Sequence, residues 1–308
     1  MMINSIIFTV SIMLGYMMIG FVMSKCKKVV VSHAKSMSAI LIYILGPAMI
    51  INSFLGLTYS RDNMIKIGQY FLVSLMVQII FFAILYLVLH SKYEDSKYRI
   101  MSIGGVLGNV GFLGMPVVAS VFPNDPIVLV YSSINVMSMN LIVFTIGTYM
   151  ITNDKKYMSV RNAIINPTTI AILIALPIFI SGIHFPEEIE SGIALLGRMV
   201  TPMCMLILGI RLSEAKLREI FSRVFVYVTC ALKLIVYPLV VFLLVRWIPG
   251  IDVAAKSTAV ILAMMPAGAI IESLAELYEC QQEFSANVVL LTTILSVITI
   301  PMMIYLLV

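Results

Sequence analysis

The chain is poor in charge: only 11% of its 308 residues are Asp, Glu, Lys or Arg, under half of the roughly 25% usual in a soluble domain. No polar stretch reaches the size of a domain that could fold in water alone. That leaves no room for the output domain of a receptor. Histidine and cysteine are scarce as well. His33, His90 and His184 stand apart, and Cys26, Cys204, Cys230 and Cys280 are scattered with no CxxC spacing. A disulfide framework or a metal site is therefore not expected. An HExxH motif is missing, as is a pair of intramembrane aspartates, so neither a zinc protease nor an aspartyl dyad is foreseen. The expected chain is not an enzyme, needs no cofactor and has no nucleic-acid partner.

What is present is apolar. Hydrophobic residues make up 61% of the chain. They recur in runs of about 20 residues, the length of helix that crosses roughly 30 Å of hydrocarbon. The bilayer is the first expected partner. Ten spans can be read, at 4–24, 35–57, 65–89, 99–122, 126–151, 167–183, 191–210, 223–246, 255–278 and 284–307. In the first run, "MMINSIIFTVSIMLGYMMIGFVMSKCKK", the positive charges follow the apolar stretch instead of preceding it. This suits a first span with its N-terminus outside better than a secretory signal.

Orientation follows from the basic residues. Fourteen lie in the first, third, fifth and seventh loops, including Lys216 and Arg218, whereas the even loops hold only Arg61, Lys66, Arg246 and Lys256. Both termini should face outside a cell (inner) membrane. The remaining two, Arg198 and Lys233, fall inside spans. Five spans on either side of a linker make two halves, and because five is odd, homologous halves in series sit upside down relative to each other. The expected fold is thus an all-α integral membrane protein of ten helices. It comprises a first repeat over 1–151, a cytoplasmic linker over 152–166 and an inverted second repeat over 167–308. Interruptions recur at nearly constant offset. Pro47 in span 2 answers Pro202 in span 7, 155 residues on, and the break of span 4 at Gly108 answers that of span 9 at Pro266, 158 residues on.

The stretch "GGVLGNVGFLGMPVV" in span 4 is rich in helix breakers. Small residues also let helices pack closely, but paired interruptions in inverted halves point to the central site of a secondary transporter. Breaks near the midplane in spans 4 and 9 would bring two positive helix N-termini together. Free N–H groups at "GNVG" (Gly108, Asn109, Val110, Gly111) and in "PAGA" (Pro266, Ala267, Gly268) are then expected to bind an anion. Two negative helix C-termini lie near the same point, so geometry alone leaves a cation site open. Asn109 adds a donor and an acceptor without a charge.

At these residues the chain resembles the auxin efflux carrier family, which includes plant PIN carriers and bacterial malate and malonate permeases. "GNVGFLGMPVV" is similar to the family's fourth-helix pattern and "MPAGAIIESLAELYE" to its ninth, while "NPTTIAILIALP" and "LSVITIPMM" fit spans 6 and 10. The resemblance implies a panel-like scaffold and a transport domain whose broken helices 4 and 9 cross at the substrate site. It also implies elevator-like transport of small organic anions, such as a dicarboxylate or an auxin-like carboxylate, and a homodimer. Many PIN members carry proline at the position of Gly108 and a second asparagine near the other break, where this chain has Ala267 and Gly268. An indole acid is therefore not assumed. A sodium-coupled bile-acid-type organic anion symporter is the alternative with the same layout, though it needs more acidic or amide ligands than the breaks supply.

Charges inside spans are functional candidates by default. Lys233 lies near the midplane, either as a structural partner of a carbonyl or carboxylate or as a coupling residue. Arg198 either snorkels to the outer face or reaches the substrate carboxylate. Glu272 either carries a coupled proton or is solvated beside Glu276 at the inner interface, and a Lys233–Glu272 pair is conceivable. Asn135 in span 5 and Asn287 in span 10 occupy corresponding spans and would line the same cavity or bond between helices.

Overall fold

The structure, a computed structural model, describes residues 2–214 and 223–308, so Lys216 and Arg218 lie outside the described residues. Among the described residues the chain is helical, with one isolated two-residue β-bridge and no strand. Eight helices are long and apolar enough to cross a membrane. We label them with the shorter helices in chain order: α1 (Met2–Lys25), α2 (31–55), α3 (Arg61–Leu89), α4 (Ser96–Val106), α5 (Val110–Val121), α6 (Ile127–Thr152), α7 (Pro167–Ser181), α8 (Glu187–Ser213), α9 (Val224–Arg246), α10 (Val253–Ala263), α11 (Ala269–Leu277) and α12 (Gln282–Leu307). Eight of the ten expected spans correspond to these long helices. The other two are each divided, the fourth into α4 and α5 and the ninth into α10 and α11.

Local sequence sets the ends. The Ser60 hydroxyl accepts from the N–H of Asn63 at 3.0 Å and so caps α3. The Asp252 carboxylate accepts from Ala255 at 2.6 Å and caps α10, and the Asn166 amide oxygen accepts from Thr169 at 3.0 Å ahead of Pro167. Gly182, at φ 63°, ends α7 in the left-handed conformation. Proline inside α2, α5 and α9 does not break them. Pro47, Pro116 and Pro238 each stand two residues past a π-helical turn, at Leu41–Leu45, Val110–Gly114 and Leu232–Val236. Proline clashes with the carbonyl four residues before it, and a widened turn displaces that carbonyl. A fourth such turn, Val143–Gly147 in α6, is followed by no proline.

Packing sorts the helices into two groups. In the first, α1 lies along α8 and α2 along α7 and the start of α8. The α1–α8 approach is backbone to backbone. A Cβ on Gly209 would sit 1.9 Å from the Met17 carbonyl oxygen, so only glycine fits there. In the second group α3 packs on α6, and α9 packs on α10 and α12. Side chains such as Leu87, Val88, Leu243, Ile298 and Tyr305 are exposed on the outside, the reverse of a soluble surface and the condition of helices solvated by lipid. The single tryptophan, Trp247, is exposed at the end of α9. This is a multi-pass membrane protein.

Candidate functional site

The helix α4 stops at Val106, and Leu107 takes an extended conformation; α10 stops at Ala263, and Gly268 is extended before α11. The two extended segments pair antiparallel, Gly108 opposite Ala267. The Asn109 N–H donates to the Pro266 carbonyl at 2.7 Å, and the Gly268 N–H donates to the Leu107 carbonyl at 3.2 Å. A Cβ on Gly268 would stand 3.0 Å from the Gly108 carbonyl oxygen, so this approach depends on glycine. These bonds correct the expectation of free N–H groups throughout "GNVG" and "PAGA". Three are already engaged, because the Ala267 N–H also donates to the Thr292 hydroxyl at 3.1 Å. A buried amide left unpaired is costly, and each break satisfies the other instead. What remains for a ligand is the first turn of each second helix. The Val110, Gly111 and Phe112 N–H groups precede Leu113, which donates back to the Asn109 carbonyl at 3.2 Å.

One side of this crossing faces α8. The Asn109 side chain, 8% exposed, has its Nδ2 3.9 Å from the Cys204 sulfur. One residue before Pro202, the Thr201 hydroxyl donates to the Phe112 carbonyl at 3.4 Å. The part of α8 just past its interruption at Met199 therefore lies against the start of α5.

The other side faces α3, α6 and α9 across a cavity of about 20 Å³, lined by Ser74, Gln78, Gly108, Asn135, Lys233 and Tyr237 among others. This is room for one water. A polar network runs along it. The Ser74 and Ser138 hydroxyls are 2.6 Å apart, Gln78 Nε2 donates to Ser138 Oγ at 2.9 Å, and Asn135 Nδ2 donates to Ser74 Oγ at 2.9 Å. Lys233 is fully buried. Its Nζ donates to the Val106 carbonyl at 2.9 Å and the Ala263 carbonyl at 3.3 Å, and it lies 4.4 Å from the centroid of the Tyr237 ring.

The structure gathers some sequence candidates and disperses others. Gly108, Asn109, Val110, Pro266, Ala267 and Gly268 are buried together at the crossing, with Gly111 half-buried beside them. Asn135 lines the small cavity. Asn287 is buried but lies outside that lining, and its Nδ2 has no partner among the described residues. A Lys233–Glu272 pair does not form. Glu272 accepts from Arg211 at 2.7 Å, because α11 carries it away from the crossing towards the end of α8. Arg198 is exposed and lines a separate cleft of about 250 Å³ between α2 and α8, beside Asn52, Glu187 and Glu190. It does not reach the crossing's cavity. Sequence reading passed over Ser74, Gln78, Thr201 and Cys204. Ser74 and Gln78 carried a signal, as polar residues one turn apart in an apolar run; Thr201 and Cys204 carried none.

The family model described as membrane transport protein matches residues 2–160 and 155–304, which together span almost the whole chain. No curated protein matches the chain.

Proposed function

The chain belongs to the membrane transport protein family, that of the auxin efflux carriers and their PIN-like relatives, and on that premise we propose that it is a secondary carrier moving a small organic anion across the cell (inner) membrane. The observation that carries this is the pairing of the two breaks, Gly108 against Ala267. It joins two chain segments distant in sequence into one point where helix N-termini begin. Each N-terminus offers about half a positive charge and contributes roughly 0.3–2 kcal/mol to holding an anion. Asn109 stands where the substrate would meet α8.

In this reading α4 with α5, and α10 with α11, are two broken crossings, which bring the count to ten. The halves 1–151 and 167–308 are inverted repeats around the linker 152–166, with both termini outside. The group containing α3, α6, α9 and α12 moves with the crossing against the α1, α2, α7 and α8 panel, as an elevator, in each protomer of a homodimer. Arg211 matches the charge of Glu272 at 2.7 Å, which speaks for a structural role of that carboxylate over a coupled proton.

The test is counterflow of labelled malate and malonate in proteoliposomes, wild type against Asn109→Ala. Saturable exchange that falls tenfold or more in the variant supports the reading. Exchange untouched by Asn109→Ala places the substrate elsewhere. No exchange with any carboxylate removes the proposed substrate class.

A further inference from the structure

Lys233 places a charge at the crossing that plays no part in binding the proposed substrate. It is wholly buried, and among the described residues no carboxylate is its partner. Its acceptors are the carbonyls of Val106 and Ala263, the last residues of α4 and α10. These are the ends at which helices have unpaired carbonyls and about half a negative charge each. Two such ends make about one negative charge, which a single ammonium balances. The coordination is also complete. An ammonium has three donors, and the two carbonyls and the face of Tyr237 supply three partners. Glycine at 108 leaves the space, since a Cβ there would stand 3.1 Å from the Lys233 nitrogen. A π-helical turn, Leu232–Val236, sets the lysine towards the crossing from α9.

We propose that Lys233 is a tethered cation, occupying the place where the two converging helix C-termini would otherwise hold a free monovalent cation, so that the crossing is assembled without a coupling metal ion. Converging carbonyl ends near the middle of a membrane attract a cation of some kind. Here the protein supplies its own. The inference rests on the carrier reading only for its consequence, a transport cycle that needs no sodium. The assignment of the charge rests on the geometry.

The experiment is thermal unfolding of the purified full-length protein in choline, sodium or potassium chloride, for wild type, Lys233→Met and Lys233→Ala. The wild type should unfold at the same temperature in all three salts. Both variants should lose about 5 °C or more in choline. Lys233→Ala should recover at least half of its loss in propylammonium chloride, whose cation replaces the deleted atoms. A methionine variant as stable as wild type overturns the proposal, because shape without charge then suffices. So does an alanine variant indifferent to every cation. If neither variant is recovered folded, Lys233→Arg decides: a folded guanidinium variant supports the tethered cation, and an equal loss overturns it. Malonate counterflow that requires sodium in the wild type also overturns it. An absence of counterflow alongside the expected thermal shifts fails the substrate reading alone.

Discussion

Asn287 shows at the scale of one residue how stability and function can part. Its amide nitrogen is buried without a partner among the described residues, a condition that costs about 1–3 kcal/mol. Substitution by leucine, of similar size and with nothing to satisfy, should therefore raise the unfolding temperature by a few degrees. If the amide also meets the substrate, the same variant should raise KM for counterflow. A lower unfolding temperature would show that the amide has a partner in the membrane-embedded protein. Asn109 was the residue most legible in the sequence, because a polar side chain between glycines in an apolar span has few structural uses. Cys204 was not legible. Its proximity to Asn109 arises from the packing of α8 against α5, and no pattern within either helix encodes a contact 95 residues away.

Among elements, the junction of α8 and α11 is the informative one. Arg211 and Glu272 meet at 2.7 Å with side chains 22% and 15% exposed, and they join the two packing groups. Were the groups to slide past each other, this pair would have to part. Arg211→Gln and Glu272→Gln should each alter the counterflow rate several-fold. The double variant should differ little from either single one, with a coupling energy of about 0.5–3 kcal/mol for residues in contact. Strict additivity in that cycle would show that the pair does not act as a unit. Glu272 was visible in the sequence as an acid inside a span, but its partner was not. The periodicity that locates helices says nothing about which face of one meets which face of another. The breaks were easier to read, since Gly108 and Pro266 interrupt helices whatever packs on them. That the breaks satisfy each other's N–H groups became evident only from their pairing.

For the molecule as a whole, apolar run length and the placement of lysine and arginine carry most of the information, which is why helix bounds read from sequence lie within a few residues of α3, α6, α9 and α12. Orientation can be checked with the native cysteines. Cys26 is exposed and Cys280 half-buried, whereas Cys204 and Cys230 are buried. Both accessible thiols lie in loops assigned to the inside. A membrane-impermeant maleimide should leave intact right-side-out vesicles unlabelled and should modify Cys26, and Cys280 more slowly, once the vesicles are opened. Labelling of Cys26 in sealed vesicles would invert the topology. The solitary Trp247 has a use of its own. It caps the end of α9, 81% exposed, on the group proposed to travel. Its fluorescence is therefore the chain's whole indole signal, positioned where the travelling group enters or leaves the lipid. Quenching by lipids brominated at different depths would turn the unmodified protein into its own depth gauge, with no dye attached and no residue changed.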